Sequence, residues 1–536
     1  MNYSLLVTIV LIYVAIVGYL GYLGYRHTTS SKDYMLAGGE VHPYLMAMAY
    51  GATFISTSAI VGFGGAAGMY GMSMLWLTVF NIIAGIAVAF IVFGKRIRAM
   101  SHRLDVRTFP ELMGKRYNSV FIQKFSAALI ALSMPLYAAA VMIGGARFMQ
   151  ESLKMDYTVS LWLLAIIVMV YVLFGGLKGV LYTDAFQGTL MFITMALIVI
   201  LTYIKVGGII DGHSALAAMA DKVPSSLAEK GMTGLASMPT FGSDIWWFVV
   251  STLVLGVGIG VLAQPQLAVR FMTVNSNRDL NRGVLIGGVF ILFMTGVAFI
   301  VGALSNVYFM ENEGKLALQM VTDPATMKPN IDLIIPIFIS QAFPDWISYI
   351  FLLTLLSAAM STLSGQFHVI ATSINYDLYR GDDRDDKTRL RLARIGTIIA
   401  VAVTMIISLW LPESIIAIAT SIFFGLCAAA FLPMLIGALF WKRATTTGVT
   451  IGMLAGSAVY LFSLLFLQAK GAAIFGVSQA LFGKTVLLPF PWTAIDPIVL
   501  GLPVGLGVMF LVSYLSKPID EAHLTHCFHK GTSTGS

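Results

Sequence analysis

Four hydroxyl side chains fall within six residues: Thr53, Ser56, Thr57 and Ser58. A second set, Ser357, Ser361, Thr362 and Ser364, lies with Gln366 in one apolar stretch. Ser357, Ser361 and Ser364 are spaced i, i+4, i+7, which places them on one stripe of a helix. A hard cation such as sodium takes several neutral or anionic oxygens at once. Two hydroxyls of the second set, with carbonyls freed from the first stretch, can supply them. The competing use of such hydroxyls is to bond back to carbonyls of their own helix.

The first set sits inside Tyr50–Gly71, where glycines recur at 51, 62, 64, 65, 68 and 71. Hydroxyls offer the backbone alternative partners and glycine relaxes its dihedrals. The stretch predicts a helix broken at membrane depth, where irregular backbone survives only against protein or a water-filled cavity. The alternative is an unbroken helix whose small residues pack closely on a neighbour. A second interrupted stretch, Val254–Phe271, carries Gly256, Gly258 and Gly260, then Gln264-Pro265-Gln266. Proline removes a backbone donor and clashes with the preceding turn. A simple proline kink is the plainer reading of that stretch alone. Corresponding interrupted segments in two halves of a chain mark the binding site of a secondary transporter.

Other groups carry weaker signals. Asp184 is an isolated carboxylate near membrane depth, which is expensive and points to function. Its competing role is an N-cap for the helix expected to start there. His368, one turn beyond Ser364, reads as a packed histidine, with a proton relay as the alternative. Tyr137, Phe271 and Phe423-Phe424 read as packing residues, with a gate among them as the alternative. Arg147 reads as an arginine snorkelling to the interface. The tail residues His523, His526, Cys527 and His529 have metal-ligand chemistry but no partner cluster elsewhere. There is no nucleotide-binding loop, no zinc motif in the membrane and no nucleophile constellation.

The elements that must position these residues follow from composition. The chain has 536 residues, 58% hydrophobic and 11% charged, with a mean hydropathy of +0.85. Globular proteins carry about 25% charge, so this is an all-α polytopic membrane protein. At about 20 apolar residues per crossing, thirteen spans are expected: near 4–25, 43–69, 73–95, 121–149, 157–175, 184–204, 245–270, 283–305, 345–378, 390–411, 415–441, 448–468 and 494–515. The first is read as a retained span rather than a signal peptide. The interrupted stretches are spans two and seven. Five spans apart, they run in opposite directions across the membrane. Most of the 33 Lys and Arg then fall on one side: Lys95 to Arg107, Lys115 and Arg116, Arg270, Arg278 and Arg282, Arg380 to Arg394, and Lys442 and Arg443. That asymmetry places the N-terminus outside and the C-terminus in the cytoplasm of a cell-membrane protein. The net charge of +7 therefore reflects topology, not nucleic acid. Two long outer loops, 206–243 and 306–344, read as surface helices, lids or solvated connectors. Cys427 and Cys527 lie in unlike environments, so no disulfide is expected. No domain-sized gap between the spans leaves room for a soluble enzyme domain.

Several motifs together resemble the sodium:solute symporter family. They are the second span, Ala358-Ala-Met-Ser-Thr-Leu-Ser364, Gly175 to Gln187 including Thr183-Asp184, and Gln264-Pro-Gln-Leu-Ala-Val-Arg-Phe271. The resemblance covers spans two to eleven in order. It implies a leucine-transporter-type inverted repeat of five plus five helices. One extra helix precedes it (1–42, with the first cytoplasmic loop). The repeats are 43–205 and 244–441, joined through the outer loop 206–243. Two peripheral helices (442–515) and a cytoplasmic tail (516–536) follow. It implies a co-transported sodium held by carbonyls of Ala52, Ile55 and Ala358 and hydroxyls of Ser361 and Thr362. Asp184, with Ser364, would lie on the sodium release route or at a second site. A second site wants another hydroxyl where this chain has Gly365, so one sodium is expected. The solute would lie beside the ion, against Ser56 and Thr57, with Gln264 and Gln266 opposite. Within the family, Thr53–Gly62, Ile143–Arg147 and Pro265–Arg270 look most like the sodium/pantothenate branch. Ser361–Ser364 and Arg270-Phe271 also resemble proline symporters, although Val257 and Val261 replace aromatic residues expected there. The implied function is sodium-coupled uptake of a small organic solute, a carboxylate first. A proline-type or proton-coupled carrier, or a solute sensor, is the alternative. No protein partner beyond the lipid bilayer is implied.

Overall fold

The computed structural model describes residues 3–28, 30–39, 41–324, 327–379, 386–412 and 414–528. Among them the regular structure is helical, apart from one isolated bridge between Thr322 and Pro329. Arg380, Arg384 and His529 lie outside the described residues.

Eleven helices among the described residues are long and apolar enough to cross a membrane. The difference from the expected thirteen lies in two places, the second span and the fifth. Pro43–Phe54 is a half-helix of 12 residues. The continuation of that span joins the next one in a single apolar segment, Ser58–Arg103, which bends at Gly71 (φ 67°, ψ −151°). Tyr157–Leu173 is short and continues into Gly175–Lys205 through Gly176, whose φ of 54° and ψ of −157° break the helix. Only glycine adopts such a backbone without strain. The sixth span therefore starts near Leu177, not Asp184. The eighth, Asn277–Glu313, runs 37 residues and extends past both expected ends.

Burial separates the roles of the helices. In Ser4–Arg26, 22% of the most apolar window is buried, against 89% in Asp345–Leu378 and 94% in Ile416–Phe440. The hydroxyl-bearing helix is thus enclosed by protein, and its polar stripe must find protein partners. The first helix is peripheral. It still reaches the interior through Tyr13, whose hydroxyl is 2.9 Å from Ser357 Oγ and accepts from Gln187 Nε2 at 3.1 Å.

Small residues let the first interrupted span approach its neighbours, so the close-packing reading of its glycines holds beside the broken-helix one. A Cβ at Gly302 would run into the carbonyl of Gly64, and one at Gly65 into the carbonyl of Ile331. Gly302→Ala is expected to cost about 1–3 kcal/mol, read as a lower apparent melting temperature in detergent. An unchanged midpoint would mean that this crossing is not tight.

The loops 206–243 and 306–344 touch the core at some points, while Ile210, Phe241 and Met327 stay exposed. The carbonyl of Leu235 accepts from Met72 N at 2.8 Å, and Leu235 and Asp332 are both 3% exposed. Arg116, expected to mark the cytoplasmic side from a loop, is 0% exposed. It donates to the carbonyls of Ala438 at 3.2 Å and Trp441 at 3.4 Å. These are orphan acceptors at the C-terminal end of Ile416–Phe440.

Candidate functional site

The half-helix Pro43–Phe54 closes with Ile55 N donating to Gly51 O at 2.8 Å. Ile55 then leaves helical geometry (φ −85°, ψ 93°), and winding resumes as a π turn over Ser58–Gly62. In the last turn before the break, the carbonyls of Ala52 and Thr53 receive side-chain donors from the polar helix. Ser361 Oγ is 2.9 Å from Ala52 O and 3.4 Å from Ala358 O. Thr362 Oγ1 is 3.2 Å from Thr53 O. Ala52, Ala358 and Ser361 thus meet beside the break at Ile55, and Thr362 reaches the neighbouring carbonyl of Thr53. The donor set is carbonyl and hydroxyl oxygen, which suits a hard monovalent cation. Among the described residues no group of three or more His, Cys, Asp or Glu is placed to hold another kind of metal.

The second interrupted span breaks at Gln264 (φ −73°, ψ 118°), and Pro265 opens the helix Pro265–Met272. Proline at the first helical position loses nothing, since its missing N–H had no partner there. Gln264 and Gln266 were expected to face the solute. The Gln266 amide donates to the Gln264 side-chain carbonyl. The other ends of the pair, Gln264 Nε2 and Gln266 Oε1, are buried without hydrogen-bond partners.

Arg270 corrects an expectation. It was assigned to a cytoplasmic loop, yet its side chain is 1% exposed and forms an ion pair of 3.0 Å with Asp184, itself 0% exposed. Arg270 Nη2 also lies 2.8 Å from Thr53 Oγ1. Ser364 Oγ lies 3.3 Å from the other oxygen of Asp184. Asp184 sits about two turns inside its helix with side-chain partners, so the N-cap reading is set aside. The signal for Arg270 was its place in an apolar stretch, ahead of the exposed loop charges Arg278 and Arg282.

Beside the ion contacts lies a small cavity of about 20 Å³, room for about one water. Ser56 lines it with Ser58, Asn81, Tyr137, Thr295 and Thr420, against Phe54, Val257 and Phe424. Tyr137 donates to Ser56 Oγ at 3.3 Å, and its ring lies 5.5 Å from Phe423 and 5.3 Å from Phe424. Thr57, expected at the solute, turns away: its hydroxyl donates to Val141 O at 2.8 Å. Ser58 Oγ and Asn81 Oδ1 are buried and without a hydrogen-bond partner. Such atoms are costly unless something binds them. Sequence reasoning passed over Asn81, a single carboxamide in an apolar span, and the lone threonines 295 and 420. His368 packs its ring 5.4 Å from that of Tyr34.

Two broken membrane helices, with polar groups converging at the breaks, are the layout of a secondary transporter. The sequence model of the sodium:solute symporter family matches residues 34–456, and the chain belongs to that family. It is a sodium-coupled transporter and not an enzyme. Among curated proteins it is 28% identical to the osmoregulated proline transporter OpuE of Bacillus subtilis, over 84% of this chain and 87% of that one. It is 28% identical to sodium/proline symporter 2 of Staphylococcus saprophyticus, over 90% and 89%. The solved structure of a Na+-coupled sialic acid symporter, substrate-bound and outward-open, superposes with a TM-score of 0.73 at 18% identity, covering 96% of this chain and 99% of that one. That likeness establishes a shared fold.

Proposed function

We propose that this protein imports a small zwitterionic solute of the amino-acid class, proline being the first to test, with sodium as the driving ion. The carrying observation is the hydroxyl pair Ser361 and Thr362 set on the Ala52 and Thr53 carbonyls at the helix break. The sodium ligands are then Ala52, Ile55, Ala358, Ser361 and Thr362. The solute contacts are Ser56, Ser58 and Asn81. The cavity wall carries no Lys, Arg, His, Asp or Glu. A solute with net charge is left unpaired there, which costs several kcal/mol. A zwitterion brings its own counter-charge. The proline transporters among the relatives support the same class. Val257 lines the cavity, so its departure from the proline pattern bears directly on which solute fits. A pantothenate-like or short monocarboxylate, paired with the sodium itself, is the second candidate and belongs in the same assay.

The arrangement proposed is thirteen crossings, five plus five of them an inverted repeat, with the N-terminus outside. Removing the buried Arg116 and Arg270 from the loop charges leaves the rest of that set, from Lys95 through Lys115, Arg278 and Arg282 to Arg391, Arg394, Lys442 and Arg443, on the same side. One sodium moving through ~100 mV supplies about 2.3 kcal/mol, and a tenfold gradient about 1.4 kcal/mol more. Together they support roughly 500-fold accumulation of a neutral solute.

Proteoliposome uptake of labelled proline, pantothenate and short monocarboxylates, with sodium and pH gradients imposed separately, tests the reading. Accumulation that follows pH and ignores sodium overturns it. Asn81→Ala is expected to raise the half-saturating solute concentration about tenfold, the equivalent of one hydrogen bond of about 1.4 kcal/mol. Half-saturation by sodium should move much less. Equal shifts in both would remove Asn81 from the solute wall.

A further inference from the structure

Arg270 is buried beside the ion contacts and shares residues with them. Thr53 gives its carbonyl to Thr362 at 3.2 Å and its hydroxyl to Arg270 Nη2 at 2.8 Å. Ser364 bonds the carbonyl of Ser361 at 3.0 Å and one oxygen of Asp184 at 3.3 Å. The Asp184 carboxylate, two hydroxyls and a backbone carbonyl therefore cluster around one point. That is an oxygen set of the kind a second hard cation takes. The guanidinium is already there, 3.0 Å from Asp184 Oδ2. Gly365 makes the room, since a Cβ at that position would stand 3.2 Å from Nη2 and 3.0 Å from Thr53 Cγ2. Arg270 Nε and Nη1 are buried without hydrogen-bond partners. The side chain is held through its Nη2 edge against the anion, so what it delivers to the site is positive charge.

We infer that Arg270 is a tethered cation that occupies a second cation position at Asp184 and thereby fixes coupling at one sodium per solute. The inference rests on the sodium-symport reading above. A second free cation at Asp184 meets the guanidinium at contact distance in a low-dielectric interior and is repelled. With the guanidinium gone, the same buried carboxylate needs a cation and has the oxygens to hold one. Arg270 sits on the helix that follows the second break, Thr53 on the one that precedes the first, and both halves of the fold meet in this pair.

The test counts sodium in the purified protein and in proteoliposomes. Sodium titration of the melting temperature in detergent needs no transport, and the zero-flux potential gives the sodium-to-solute ratio directly. The wild type is expected to bind one sodium. Arg270→Gln, or the similarly sized and apolar Arg270→Met if the glutamine variant does not reach the membrane, is expected to bind two. Its Hill coefficient should move from 1 toward 2, and its limiting accumulation of a neutral solute should rise by a further factor of roughly 500. Arg270→Lys, which keeps the charge, should remain at one. A neutral variant that binds one sodium, or a wild type that binds two, overturns the inference. A wild type with no response to sodium overturns the sodium-symport reading instead.

Discussion

Asp184→Asn is expected to destabilise the protein by about 3–5 kcal/mol, because it leaves a fully buried guanidinium without its anion. The pair is enclosed on both sides, with Arg270 at 1% and Asp184 at 0% exposure. Solvent cannot take over the charge, and the remaining partner of Nη2 is the neutral hydroxyl of Thr53. The reciprocal change behaves differently. Arg270→Gln leaves a carboxylate, and sodium in the buffer can settle on it. Thermal midpoints in detergent, with sodium against choline, read both effects. Asp184→Asn should melt well below wild type in either salt. Arg270→Gln should recover much of its loss in sodium alone. The double variant Asp184→Asn/Arg270→Gln, with no unpaired charge, should melt above the Asp184→Asn single variant. A single variant as stable as the double would mean that the pair is not buried as described.

Thr362→Ala is expected to raise the sodium concentration for half-maximal uptake about tenfold, which is one ligand of about 1.4 kcal/mol. Ser361→Ala should do at least as much, because its hydroxyl reaches two carbonyls, Ala52 at 2.9 Å and Ala358 at 3.4 Å. Thr362→Ser keeps the oxygen and should stay near wild type. The affinity for solute at saturating sodium should change little, since neither hydroxyl lines the solute cavity. These residues are neighbours on one helix, so the double variant need not equal the product of the singles. Sodium dependence unchanged in Thr362→Ala would remove that residue from the ion site.

Parts of this site were legible from local composition. Glycine and hydroxyl residues concentrate where the first interrupted span breaks, and Gln264-Pro265-Gln266 marks the second break. A break is a local event, decided by the residues in it. The stripe Ser357–Ser361–Ser364 was legible for the same reason, because helical spacing alone puts those residues on one face. The expected contact of Ser361 and Thr362 with the broken span needed more, the resemblance to a family whose motif joins them.

Other residues were misread because their role depends on what stands opposite. Ser56 lies in the break itself, and Thr57 is where helical geometry resumes (φ −55°, ψ −31°). That change of direction sends its hydroxyl to Val141 rather than into the cavity. Arg116 and Arg270 were counted with the loop charges because hydropathy averages over a window and cannot tell an arginine at a span's edge from one turned inward.

The opening hydroxyl-rich stretch sums up the division. By itself the sequence determined that Tyr50–Gly71 is apolar enough to enter a membrane and too rich in glycine and hydroxyls to cross it as one regular helix. It also determined that a second interrupted span answers it further along the chain. Only the tertiary structure decided which groups the break receives. Arg270 and Asp184 are 86 residues apart, and Asn81, Thr295 and Thr420 come from three separate helices. The physical reason is that membrane helices are apolar on nearly every side, so their rotation is not set by an exposed polar face. It is set by close packing at small residues, as where Gly302 meets Gly64, and by the pairing of the few polar groups that lipid cannot satisfy.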